Sequence, residues 1–166
     1  MRMQRFLLPA ILAACALGLS ACGFTPLYAS PGVSPGLSSI QVAAPDGRVG
    51  YLLRETLDDA LPRDASRPVA YRLDVSIDES REPLGLRLDD VAKRYEVSLT
   101  VNYTLTDLSN GEVAKRGVAT SFISYDAAEQ PYAGIAARQD VQERVAAEVA
   151  RKIRIDLAAY FSAKGG

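Results

Sequence analysis

The sequence predicts an α+β fold, a two-layer sandwich in which two helices cover one face of an antiparallel four-stranded sheet. Three observations predict it. Two segments carry apolar residues four apart: Val49, Leu53, Leu57 and Leu61, then Val141, Val145, Val149, Ile153, Leu157 and Phe161. Two others alternate apolar and polar residues, most cleanly Tyr95 to Thr106. Asn110-Gly111 then supplies a hairpin turn between strands. A period of four makes one helix stripe, and a period of two makes a sheet with one buried and one wet face.

Each element follows in order. Leu37 to Ala43 reads as a first strand, with Ile40 and Val42 two apart. Pro45-Asp46-Gly47 breaks it, and Asp46 is the expected N-cap of a helix over Arg48 to Leu61. Pro62 stops that helix. Val69 to Asp78 is the second strand, Tyr95 to Thr106 the third and Val113 to Tyr125 the fourth. Lys115-Arg116-Gly117 interrupts the alternation of the fourth, which an edge position or a bulge near Gly117 explains. A long helix over Ile135 to Phe161 closes the chain, with charge pairs four apart at Asp140–Arg144, Arg144–Glu148 and Glu148–Lys152. The order is β-α-β-β-β-α, and two one-striped helices suffice to cover one sheet face.

Ahead of this domain lies a different kind of sequence. Arg2 and Arg5 precede an apolar stretch from Phe6 to Leu19, too short for the ~20 residues of a spanning helix. Leu19-Ser20-Ala21-Cys22 then matches the bacterial lipobox, in which the cysteine thiol is lipidated before cleavage. Leu12-Ala13-Ala14-Cys15 also fits that pattern, but leaves only Phe6 to Ile11 as apolar core, below the usual ~7 residues. Residues 1–21 are therefore expected to be a signal peptide, 22–36 a lipidated tether and 37–166 one domain. The tether holds three prolines and three glycines between Gly23 and Gly36, a composition that argues against helix or inner strand. Phe24, Leu27 and Tyr28 are unusually apolar for a free linker; they either dock on the domain or rest at the membrane surface. Two acyl chains on one cysteine hold far better than one, at ~0.8 kcal/mol per buried CH₂. An Asp after the cysteine would retain the protein in the inner membrane; Gly23 points to the outer one.

The mature chain of 145 residues has one cysteine, so no intrachain disulfide forms. Its 17 basic and 20 acidic side chains leave a formal charge near −3, which favours no nucleic-acid partner. Without histidine the commonest general base is missing, and lipidation consumes the thiol. There is no Gly-rich phosphate loop, no Cys/His metal set and no Ser-x-x-Lys motif. Asp89-Asp90 would point to opposite faces of a strand and reads as a solvated turn. The chain is thus expected not to be an enzyme, and to need no metal or cofactor.

Basic residues carry the remaining signal. Arg81, Arg87, Lys93 and Arg94 flank the link between the second and third strands, while Lys115 and Arg116 face the Tyr103 region, away from them. Arg87, Lys93 and Arg94 are the candidate ligand-binding residues for phosphate-bearing lipid or sugar, against the plainer reading of solvated charge. Leu84-Gly85-Leu86-Arg87-Leu88 either extends the strands or presents an apolar surface to lipid or a partner.

Cys22-Gly23-Phe24-Thr25-Pro26-Leu27-Tyr28 resembles the start of the mature LPS-assembly lipoproteins of the LptE family, especially their alphaproteobacterial form. Ser124-Tyr125-Asp126, Gln130-Pro131-Tyr132-Ala133 and the closing Leu157-Ala158-Ala159-Tyr160-Phe161 resemble their end. The resemblance implies a similar fold and an outer-membrane lipoprotein, lipid-anchored and facing the periplasm. It also implies a role as plug and assembly partner of the barrel protein LptD, with lipopolysaccharide bound through basic residues. Of the residues, only Cys22 takes its role from the resemblance; Arg87, Lys93 and Arg94 rest on charge clustering. The competing expectation is a periplasm-facing lipoprotein that binds another amphiphile or a cell-wall component.

Overall fold

Both four-residue stripes become helices whose apolar side chains lie against the sheet and each other. The computed structural model describes residues 32–61, 63–86, 92–127 and 130–165. In chain order the elements are α1 (Val33–Leu37), β1 (Ile40–Ala43), α2 (Arg48–Ala60), β2 (Tyr71–Leu86), β3 (Ala92–Asp107), β4 (Val113–Asp126) and α3 (Pro131–Gly165). The sheet order is β1-β2-β3-β4.

The α+β class and the order of the six expected elements hold, with three corrections. First, the sheet is mixed: β1 runs parallel to β2, with Ile40 opposite Tyr71 and Ala43 opposite Asp74. The cause is α2, which carries the chain back across the sheet before β2 begins, as a parallel neighbour requires. Second, Val33–Leu37 form a short helix where the Pro- and Gly-rich composition argues against one. Pro35 sits in the first turn, where its missing N–H costs little, and Val33 and Leu37 are buried in the core. Third, Asp46 does not cap α2. Gly47 is the cap residue, at φ 109°, and no side chain bonds the first turn.

The core forms between one sheet face and the helices. Leu73, Val97, Leu99, Val101 and Leu105 meet Leu53, Leu57 and Leu61 of the α2 segment and all six members of the α3 stripe, from Val141 to Phe161. Full burial of each such side chain contributes about 1.5–3 kcal/mol, so these stripes dominate the fold's stability. Gly50 lets α2 close on the preceding loop; a Cβ there would lie 1.9 Å from the Pro45 carbonyl oxygen.

On β4 the register shifts between Leu105 and Thr106, where Ala114 has no opposite residue. The irregularity therefore lies at Ala114, and Gly117 pairs regularly with Tyr103. Gly117 is needed for another reason. The Tyr103 ring lies across it, so a Cβ would meet the phenol oxygen at 2.2 Å. The Tyr103 hydroxyl donates to Asp156 of α3, and Lys115 stands 3.0 Å from the same carboxylate. Burial first, and then the Asp156 carboxylate, push the Tyr103 phenol well above its ordinary pKa.

Among the helix pairs, Asp140–Arg144 forms at 3.6 Å. Glu148 instead takes Arg151 at 2.6 Å, and the Lys152 ammonium donates to the Thr120 carbonyl of β4 at 2.5 Å. That contact covers part of an otherwise open sheet edge.

Candidate functional site

Two surfaces are set apart by the architecture. One is the distal end of the β2–β3 hairpin. Both strands run further than their alternation suggests, so that Leu84 pairs with Arg94 and Leu86 with Ala92. β1 covers only Tyr71–Asp74 of β2, so beyond that point no described strand pairs with this edge, and Pro83 is tolerated there. The Leu84-Gly85-Leu86 stretch accordingly extends the strand.

The core-facing rows turn polar as the hairpin leaves the helices. Glu79 accepts a 2.7 Å bond from Gln142 of α3. Two residues on, the Arg81 guanidinium lies 3.5 Å from the Tyr95 ring centroid and donates to the Tyr125 hydroxyl at 2.8 Å. Tyr95 and Tyr125 stack with centroids 5.7 Å apart. This cation–π and stacking cluster ties β2, β3 and β4 together at the base of the exposed hairpin end. Sequence reasoning counts Arg81 only as one charge among several. The signal for the cluster is positional: the register that pairs Tyr103 with Gly117 also pairs Tyr95 with Tyr125.

Of the expected ligand-binding residues, Arg94 lies on β3 and bonds Asp126 at 3.0 Å, with both side chains largely exposed. An exposed pair of this kind contributes ~0–1 kcal/mol, so a phosphate could take the arginine from its partner. Lys93 lies beside it on β3. Arg87 lies outside the described residues, as do Cys22, Cys15 and Asp89-Asp90. Lys115 and Arg116 pair with Leu105 and Thr104, eleven or so residues along β3 from Arg94, roughly 35 Å at ~3.3 Å per residue. Among the described residues, Arg94 thus lies far from Lys115 and Arg116.

The second surface is the sheet face that none of the described helices covers. β3 presents Glu96, Ser98, Thr100, Asn102, Thr104 and Thr106 there. The Thr100 and Thr120 hydroxyls bond across strands at 3.1 Å. On β4 two apolar side chains flank Thr120: Val118 is 64% and Phe122 67% exposed. This is a hydrogen-bonding surface with two apolar knobs near one edge, suited to lie against a polar wall. Among the described residues no group of three or more acidic or cysteine side chains could hold a metal ion, and no helix is long and apolar enough to cross a membrane.

The profile of the lipopolysaccharide-assembly family LptE matches residues 37–157. The chain belongs to the LptE family. A Caulobacter crescentus CB15 protein described as a lipoprotein is 50% identical; the alignment covers 81% of this chain and 98% of that one, with a TM-score of 0.70. Rare lipoprotein B from Shewanella oneidensis shares 15% identity over 72% of this chain and 93% of its own, at a TM-score of 0.56. A minor lipoprotein from Acinetobacter baumannii shares 17% over 72% and 88%, at 0.53. These last two show a common fold. No curated protein matches the chain. The LptE match covers most of α3 and all of the sheet, so the hairpin end and the uncovered face both belong to the family's body.

Proposed function

We propose that this chain is an outer-membrane lipoprotein, anchored by lipid on Cys22 and facing the periplasm, that plugs the barrel protein LptD and supports its assembly for lipopolysaccharide transport. Membership of the LptE family over residues 37–157 carries the reading. Residues 1–21 serve as the signal peptide and the residues from Cys22 up to Pro31 as the tether; α1, whose Val33 and Leu37 are in the core, joins 37–166 in the plug domain. The uncovered sheet face supports the same reading. A barrel lumen is polar, and a hydroxyl-rich face can exchange hydrogen bonds with it without desolvating unpaired charge.

The domain acts by binding rather than by chemistry. Lipopolysaccharide contact is assigned to Arg87, Lys93 and Arg94; of these, Arg94 pairs across the hairpin with an exposed apolar residue, Leu84. An amphiphile with phosphate groups needs that combination.

Depletion tests the reading. Cells lacking the chain should accumulate misassembled LptD and strand lipopolysaccharide inside the envelope. Normal barrel assembly together with normal surface lipopolysaccharide would contradict it.

A further inference from the structure

The Gly-Phe-Thr-Pro-Leu-Tyr run of the tether has no role in the proposed function beyond spacing. The fold offers it a place. A groove of about 380 Å³ opens beside α1, bounded by Pro35 and Leu37 of α1, Ala60 at the end of α2, Asp64 and Arg67 of the following loop, and Arg154 of α3. That volume lies in the usual range of ~300–1,000 Å³ for sites that hold a small ligand. Its surface is mainly apolar. Asp64 is already engaged, accepting from the Ser66 amide and hydroxyl and pairing with Arg67 at 3.2 Å.

We propose that Phe24–Tyr28 folds back into this groove, so that the segment next to Cys22 is bound by its own domain. The direction of the chain at Gly32 supports the assignment. Gly32 has φ 92° and ψ −23°, close to the third residue of a type II turn, whose second place favours proline. Pro31 precedes it. A turn of that type brings the residue before the proline within ~7 Å of Val33 and sends the incoming chain back alongside α1. Tyr28 is four residues upstream of Gly32 and reaches at most ~14 Å, enough to meet the groove wall at Pro35. Phe24, Leu27 and Tyr28 supply the apolar side chains that a free linker has no reason to carry, and Arg67 at the rim can lie over an aromatic face.

The docking does not depend on lipid at Cys22. The orientation it imposes does rest on the proposed anchor. With lipid in place, docking leaves only Cys22 and Gly23 between the membrane and the bound segment. The α1 end of the domain then faces the membrane, in place of a loose tether of about nine residues and ~16 Å root-mean-square span.

Hydrogen exchange on the mature chain tests this, in the lipidated form in micelles and as the Cys22→Ser form in solution. Amides of Leu27–Ser30 should exchange at least about tenfold more slowly than in a free peptide, in both forms. Leu27→Asp, which puts a charge into the bound segment, and Ala60→Glu, which fills the groove, should each restore peptide-like rates while the amides of β3 keep theirs. Peptide-like rates in the unsubstituted Cys22→Ser chain would overturn the proposal. So would protection that survives Leu27→Asp. Protection seen only in micelles would assign the segment to the membrane surface and overturn it as well.

Discussion

Replacing Gly117 by alanine should destabilise the domain, although one ordinary effect favours the substitution. Gly117 lies in a regular β ladder, and removing a strand glycine normally stabilises by about 0.5–1 kcal/mol. The Tyr103 ring reverses the sign. A Cβ at position 117 meets Oη at 2.2 Å, Cζ at 2.3 Å and Cε1 at 2.8 Å, against ordinary contacts of ~3.5–4 Å. The ring must therefore move by about 1 Å. Tyr103 is only 3% exposed, and moving it forces repacking at about 1–3 kcal/mol. It also breaks the bond from the hydroxyl to the Asp156 carboxylate, worth about 1.5–3 kcal/mol as a bond to a charged group. The net loss should be about 2–4 kcal/mol, a fall in Tm of roughly 10 °C for a domain of this size. Urea unfolding of Gly117→Ala, Tyr103→Val and the double variant provides the assay. With the ring removed, Gly117→Ala should become neutral or stabilising, giving a coupling of about 2 kcal/mol or more. Stability of Gly117→Ala within about 0.5 kcal/mol of the parent, or additive effects in the cycle, would refute the reasoning.

Three further outcomes follow, the first two from the structure and the third from the proposed function. The Tyr103 phenol holds its proton more tightly folded than unfolded, so its contribution is complete below the unfolded value of ~10 and is lost as pH rises above it. Equilibrium unfolding above pH ~10 should therefore show a fall in stability that Tyr103→Phe reduces; an unchanged slope would count against the buried phenol. Gly50→Ala should lower Tm despite a gain of ~1 kcal/mol in helix propensity, because its Cβ would meet a backbone carbonyl at 1.9 Å; a raised Tm would show that the loop at Pro45 yields freely. Replacing Arg87, Lys93 and Arg94 together by alanine should weaken lipopolysaccharide binding about tenfold or more, with thermal unfolding within a few degrees of the parent. Unchanged binding would reduce them to solvated charge.

Much of this fold is written in periodicity. Tyr95 to Thr106 alternates without a break because β3 is central in the sheet, buried on one face and wet on the other. The α3 stripe is legible because every fourth residue meets the same sheet. The direction of β1 is not legible from its own four residues; it follows only from the helix that separates it from β2. α1 is hidden because Val33 and Leu37 are held by packing, against the composition of Val-Ser-Pro-Gly-Leu. The length of the hairpin is hidden by Pro83 and Gly85, which signal a loop but sit on a strand that no described strand flanks on one side there. At the candidate site the charges are visible in the sequence, whereas their engagement is not. Arg94 finds Asp126 and Arg81 finds two tyrosines only once β4 is in register. Gly117 shows the same limit: its presence suggests a bulge, and the structure gives it to the Tyr103 ring.

The central claim is that this LptE-family domain works inside an outer-membrane barrel. The most direct measurement is affinity purification of the tagged full chain from detergent-extracted envelopes, with identification and stoichiometry of what comes with it. The account predicts LptD, recovered in equal amount and retained through washing. Recovery of soluble or cell-wall components, with no large outer-membrane barrel, would contradict it.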